Sequence, residues 1–286
     1  MLSDTFSVSL LGPLTAERNG QPVTLGPAKQ QCVLAALLMD ANRVISMNTL
    51  IDRVWEDTPP ASGKNVLYSY IARIRRTLSA GTGHTPGGRP GEDTAYRGGP
   101  RIRRSLGGYT AEIDPASIDV HRFRSLVSAA RQCGDHYERS APLYRQALDL
   151  WDGEALQGIG GPWAESVRET LSRERVAALL DHHAQELRAG HHLAVLGDLE
   201  VLATDRPLDE VVLRHLMIAL DRAGRRADAA ARYERTRRRL EAELGIAPSP
   251  LSQMLYGQLL RRSASTVLGP PRSQNSGACE VAASSV

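Results

Sequence analysis

The stretch KNVLYSYIARIRRTL, residues 64–78, sets apolar residues against arginines and ends just before a run rich in glycine and proline. Leu67, Ile71, Ile74 and Leu78 recur at intervals of four, three and four, which stacks them on one face of a helix. At ~100° per residue, Asn65, Ser69, Arg73 and Arg76 fall on the opposite side, with Tyr68 and Ala72 on one flank. One face suits a core. The other is polar, basic and built mostly from short side chains, and is compatible with a helix lying in a DNA groove. On an isolated helix such a face is by default merely solvated, so the surrounding chain decides.

Toward the N-terminus, Phe6 to Leu11 alternates, Asn19-Gly20 supplies a turn, and residues 22–25 (PVTL) follow, which together predict a small antiparallel strand set. Pro27 opens a first helix whose apolar side is Val33, Leu34, Leu37, Leu38 and Ala41. A second helix runs from Ser46 or Met47 to Trp55, with Leu50, Ile51, Val54 and Trp55 inward, and residues 57–60 (DTPP) stop it. Residues 64–78 are therefore a third helix. Beyond it, residues 80–100 are too rich in glycine and proline to pack and read as a mobile loop. RIRRSLGGYTAEI, residues 101–113, then alternates on both sides of Gly107-Gly108, the pattern of a β-hairpin whose turn tolerates positive φ. Its first strand carries Arg101, Arg103 and Arg104. Strands, three helices and a basic hairpin in that order predict a winged helix-turn-helix, whose third helix enters the major groove while the hairpin reaches the backbone or the minor groove.

The chain of 286 residues carries a formal charge of only +3, but a polyanionic partner responds to where the charge lies. Residues 1–113 hold 13 Lys+Arg against 9 Asp+Glu, whereas residues 114–286 hold 22 against 23. Between residues 62 and 108, nine basic residues are set against only Glu92 and Asp93. At 42% hydrophobic and 23% charged, the chain is long enough for two modest domains with cores of their own. Its most apolar early run, FSVSLLGPL, is too short to span a bilayer and has no basic segment before it. The expected location is the cytoplasm, in association with the nucleoid, with no membrane partner.

From Asp119 the pattern is helical. Gly190 and Gly224 lie 34 residues apart, the tetratricopeptide period. Ala229 and Tyr233 fall where that repeat takes a small residue and an aromatic, and Pro207 ends the earlier unit. A more degenerate unit surrounds Tyr137, Tyr144, Ala147 and Leu148, while residues 153–189 hold an insertion and helices that break the register. Helix pairs of this kind bury their apolar sides only by stacking, which leaves a concave surface for other proteins. The expected fold class is mainly α with small β elements: a winged helix-turn-helix domain over 1–113, an all-α tetratricopeptide-like domain over 114–262 and a disordered tail over 263–286.

These motifs carry a resemblance. LGP at residues 25–27, VIS and TLIDRVW across the second helix, NVLYSYIARIRRTL as the third and Gly108-Tyr109 in the hairpin resemble the DNA-binding half of the Streptomyces antibiotic regulatory protein family, which uses an OmpR-type winged helix. The helical half, closing on ARYERTRRRLEAELGIAPSPLSQMLYGQLL, resembles that family's bacterial transcriptional activation domain, so the likeness covers roughly residues 6–261. Two departures stand out. The loop over 80–100 is longer than usual in the family, and Ser105 occupies the wing position where a basic residue is common, with Arg103 or Arg104 beside it to take that part.

Enzymatic and metal-binding motifs fail on inspection. ASGKN contains a Gly-Lys pair, but Asn65 replaces the hydroxyl residue of a P-loop and Thr58 stands where its first glycine belongs. His182-His183 and His191-His192 lack ligand spacing and have no partnering cysteines or carboxylate cluster. Cys32, Cys133 and Cys279 are scattered and suit a reducing compartment. In ARYERTRRRLEAEL, Glu234, Glu241 and Glu243 interleave with Arg235, Arg237, Arg238 and Arg239, which reads as a solvated, ion-paired helix. No catalytic residue, cofactor or metal is expected.

The residues thus point to a sequence-specific DNA-binding regulator. Lys64, Arg75 and the wing arginines Arg103 and Arg104 are expected at the phosphates, in a sequence-independent and salt-sensitive role, and Ser105 is expected at the DNA as the wing position. Asn65, Ser69, Arg73 and Arg76 are expected at base edges, with Tyr68 and Ala72 against thymine methyls or phosphates. The resemblance implies the biology: dimers on double-stranded DNA at short direct repeats near the −35 region, contact with RNA polymerase holoenzyme including sigma, and activation of an antibiotic or other secondary-metabolite gene cluster. Two alternatives share the fold, a repressor and a tetratricopeptide adaptor whose winged helix contacts protein instead of DNA.

Overall fold

The computed structural model describes residues 5–56, 58–79 and 100–267. The expected loop over 80–100, but for Pro100, lies outside the described residues, as does the expected tail over 263–286 from residue 268 on, whereas residues 263–267 continue the last helix. Alternation at the start becomes a small antiparallel sheet: β1 (Phe6–Ser9) pairs with β2 (Thr15–Arg18), Phe6 opposite Arg18, and β3 (Gln21–Pro22) extends it from β2. The strand expected over 22–25 is thus shorter and earlier, although the Val23 amide still donates to Ala16 O at 2.8 Å.

The three helices fall where the periodicity puts them. α1 (Ala28–Met39) follows Pro27 and is buried along Cys32–Leu38, so neighbours surround it on most sides. α2 (Met47–Trp55) is capped by Ser46, whose hydroxyl accepts from the Thr49 amide at 3.0 Å. α3 (Gly63–Ser79) buries Leu67, Ile71, Ile74 and Leu78. Between α1 and α2 runs a two-residue strand that periodicity did not predict, β4 (Ile45–Ser46). It forms the edge of a second sheet with the hairpin β5 (Arg101–Ser105) and β6 (Gly108–Glu112), in the order β4-β6-β5.

Contacts within the chain divide it into two compact units, residues 1–185 and 186–286. In the first, a 3-10 turn (Pro115–Ser117) leads to α4 (Asp119–Gln132) and α5 (Tyr137–Leu148), and the chain then passes through an irregular segment into α6 (Pro162–Arg188). The helices expected within 153–189 are therefore a single long one. One apolar cluster runs without a break from Phe6 through the three helices and the hairpin to Phe123, Tyr144, Leu156 and Ala178. Backbone bonds cross it: Asp152, Leu156 and Gln157 donate to the carbonyls of Leu11, Leu10 and Gly12. The Asp119 carboxylate accepts from the Leu10, Leu11 and Val120 amides at 2.7–2.9 Å. Burial pushes its carboxyl above the ordinary range, and these three donors only partly offset that effect.

The second unit contains α7 (His192–Asp205), α8 (Glu210–Arg222), α9 (Arg226–Leu244) and α10 (Pro250–Val267). The 34-residue repeat is visible in how two of its helices begin. At Gly190 and at Gly224 the chain closes the preceding helix with the same five-residue backward bond, His191 N to Glu186 O and Arg225 N to Leu220 O. Ala229 and Tyr233 are buried, and Tyr233 stacks on Tyr256 with ring centroids 4.1 Å apart.

Candidate nucleic-acid interface

The candidate recognition surface is on α3, which is held from three sides. Its apolar face packs into the core beside α1 and α2. Trp55 at the end of α2 stacks on Tyr70 with centroids 6.0 Å apart. At the far end, the buried Arg18 of β2 donates to Leu78 O at 2.6 Å, placing a positive charge on carbonyls of the last turn. With the buried face fixed, the remainder of α3 is presented outward. Lys64, Asn65, Tyr68, Ser69, Ala72, Arg73, Arg75 and Arg76 are all exposed. Ser69 Oγ donates back to Asn65 O at 3.0 Å. No carboxylate among the described residues pairs with Lys64, Arg73 or Arg76, and all three are exposed.

The hairpin lies alongside. Strand pleating puts Ile102, which is buried, and Arg104 on one side of β5, and Arg101, Arg103 and Ser105 on the other. The two arginines that the sequence left interchangeable are therefore different. Arg104 lies over the Tyr68 ring of α3, 5.8 Å from its centroid. Arg103 is bound to Glu112 across the hairpin, Nη1 to Oε1 at 3.0 Å. Ser105 Oγ is 3.4 Å from Thr110 Oγ1. Arg75 also turns to the hairpin: its Nε donates to Ile102 O at 2.8 Å and its guanidinium lies 5.7 Å from the Tyr109 centroid.

The turn of the hairpin uses its two glycines for different reasons. Gly107 has φ +80°, the conformation that the turn requires, and its carbonyl accepts from Met47 N at 3.1 Å. Gly108 is not left-handed; a Cβ there would stand 2.0 Å from Ile45 O, so its missing side chain is what lets β4 approach β6. At the tip Leu106 is fully exposed. The sequence reading passed over it; its place between Ser105 and Gly107 at the turn was the available signal.

Elsewhere the polar clusters are internally engaged. Arg237 pairs with Glu234 at 3.0 Å and Glu241 at 3.4 Å, and Arg239 with Glu243 at 2.8 Å, as the interleaved pattern of α9 predicts, while Arg235 and Arg238 are exposed. His191 Nδ1 contacts Glu186 Oε2 at 2.9 Å and His192 Nδ1 contacts Gly190 O at 2.8 Å. Among the described residues, no three His, Cys, Asp or Glu side chains are grouped to hold a metal ion, and no helix is long and apolar enough to cross a membrane. Burial pushes the Cys32 thiol up to about 11, which leaves it protonated and unreactive.

Comparison with known proteins agrees with this architecture. The family described as "Transcriptional regulatory protein, C terminal" matches residues 20–86, and that described as "Bacterial transcriptional activator domain" matches residues 118–260. The chain is 32% identical to the regulatory protein DnrI of Streptomyces peucetius, over 90% of this chain and 92% of that protein. It is 34% identical to the regulatory protein AfsR of Streptomyces coelicolor over 91% of this chain, which spans only 24% of AfsR. It is also similar to the transcriptional regulator RedD of Streptomyces coelicolor, at 31% identity over 88% of this chain and 70% of RedD. Among solved structures, Mycobacterium tuberculosis EmbR in complex with a low-affinity phosphopeptide superposes with a TM-score of 0.81 at 27% identity, over 92% of this chain and 69% of that one. With a winged helix followed by an activator domain, and a relative matched over nearly its whole length, the chain belongs to the Streptomyces antibiotic regulatory protein family of transcription regulators.

Proposed function

We propose that this DNA-binding regulator activates a secondary-metabolite gene cluster by reading short direct repeats near a promoter's −35 region as a pair of subunits and by recruiting RNA polymerase holoenzyme through its sigma subunit. The observation that carries the reading is the outer stripe of α3. Asn65, Ser69, Arg73 and Arg76 are exposed together, on a helix whose opposite face is locked in the core, and Arg73 and Arg76 have no described carboxylate to neutralise them. Donors in this arrangement suit base edges in the major groove. Lys64, in the first turn, suits a phosphate, whose attraction is independent of sequence and weakens with salt. Arg104 on the hairpin lies next to that helix, and suits the flanking backbone.

The test has two arms. Fluorescence anisotropy with duplexes from upstream of neighbouring genes is expected to show binding at least tenfold tighter than to random duplex at moderate salt. Transcription in vitro with purified holoenzyme is expected to rise when the chain is added. Binding no better than to random competitor removes the DNA-reading role, and a fall in transcript with DNA binding intact makes the protein a repressor.

A further inference from the structure

Among the described residues, two cation–ring contacts join α3 to the hairpin, and they are reciprocal. At one, the helix supplies the ring and the hairpin the guanidinium, Arg104 over Tyr68 at 5.8 Å. At the other, the helix supplies the guanidinium and the hairpin the ring, Arg75 over Tyr109 at 5.7 Å. Tyr68 and Arg75 are seven residues apart, two turns or ~10 Å along the helix axis. Two points that far apart fix an angle, which a single contact does not. The Arg75 point is doubly held, because Nε also donates to Ile102 O at 2.8 Å while Ile102 itself is buried. Tyr109 is 3% exposed and is paired with Ile45 of β4, so the ring under Arg75 is part of the core and not a mobile surface group.

We infer that Arg75 is a positioning residue, which with the Tyr68–Arg104 pair sets the angle between recognition helix and wing, and is not one of the phosphate-binding cations. Charge alone made it equivalent to its neighbours on α3. Geometry separates them: Arg73 and Arg76 have no such partner among the described residues, whereas Arg75 would have to give up a hydrogen bond and a ring contact to swing to a phosphate. A helix seated in the major groove brings the hairpin tip to the duplex only at one inclination of the hairpin. Holding that inclination before DNA arrives spares the complex an ordering cost and favours the sequences that suit it. The inference rests on the proposed DNA-reading role.

The experiment uses the full chain, a 30-base-pair duplex selected by that chain from a random pool, and a scrambled duplex of the same length. Arg75→Lys is the deciding variant, because it keeps the charge and loses the planar group and the Nε donor. For a positioning role, Arg75→Lys and Arg75→Gln both weaken the selected duplex by roughly tenfold. The scrambled duplex changes by less than about twofold, and the slope of log Kd against log salt stays put. Amide hydrogen exchange of residues 101–112 in the free protein rises in both variants. An Arg75→Lys variant that binds like wild type, or an Arg75→Gln variant whose salt slope falls by about one on both duplexes, would make Arg75 a phosphate contact. A pool that yields no enriched sequence defeats the DNA-reading role instead, and unchanged exchange in the hairpin then overturns the brace by itself.

Discussion

Arg73 and Arg76 carry the same charge as Lys64 but sit where bases, not phosphates, are expected, and substitution separates the two roles. Arg73→Ala or Arg76→Ala is expected to cost ~1–3 kcal/mol on the selected duplex and to relax preference at particular base pairs. Lys64→Ala should weaken all duplexes alike and lower the salt slope by about one. Anisotropy titrations against single-base variants at three salt concentrations distinguish them, and equal losses on selected and random DNA for both arginines would count against base reading. Leu106 makes a complementary case. It is an apolar, fully exposed side chain at the tip of the wing, so Leu106→Arg adds a cation with no internal contact to break. The expected outcome is tighter binding to selected and random duplexes together, with a salt slope steeper by about one.

At the scale of single elements, the wing depends on a close approach that only glycine permits. Gly108→Ala would put a methyl 2.0 Å from Ile45 O and force β4 off β6. Urea unfolding is expected to show a loss of ~1–3 kcal/mol, together with a disproportionate loss of selected over random duplex. In the second unit, α10 is tied to α8 by Glu210, whose carboxylate accepts from the Ser249 amide at 2.8 and 3.0 Å and from its hydroxyl at 2.6 Å. Burial raises the Glu210 pKa, but hydrogen bonds from Ser249 and Ser252 and the Arg214 charge outweigh it, and the net shift is downward. A depressed carboxyl stabilises the fold above its unfolded pKa and loses that contribution as pH falls through the folded value. Thermal melts from pH 7 to pH 3 should therefore show α10 loosening on the acid side, and Glu210→Gln should flatten that dependence. The α3 stripe and the glycine turn were legible because they follow local period and composition. The β4 strand was not, since two residues carry no periodicity and pair with a partner more than sixty positions away.

Across the whole molecule, the apolar cluster continues from the winged helix into α4, α5 and α6, so residues 1–185 are expected to unfold as one cooperative body. A fragment ending at Ile113 would expose Ile118, Phe123 and Leu156 counterparts in that core and leave Leu10 and Leu11 without their Asp119 acceptor. It is expected to melt broadly, whereas residues 1–185 should unfold in one sharp calorimetric transition. Asp119→Ala tests the same junction within the full chain, at ~1–3 kcal/mol for each buried backbone donor left without a partner. The chain by itself determined the three helices and the hairpin of residues 1–113, that a period of 34 recurs, and that positive charge gathers around residues 62–108, because each of these is a matter of neighbours along the sequence. Only the tertiary structure decided which cations stay free and which are spent inside. Arg75 and Arg76 are adjacent and chemically identical, and what divides them is a carbonyl and a ring contributed by residues 102 and 109. Asp119 reads as an ordinary first-turn acid until folding brings Leu10 to it from 109 positions upstream. Helical period reports direction from an axis; it holds no information about what another segment places in that direction.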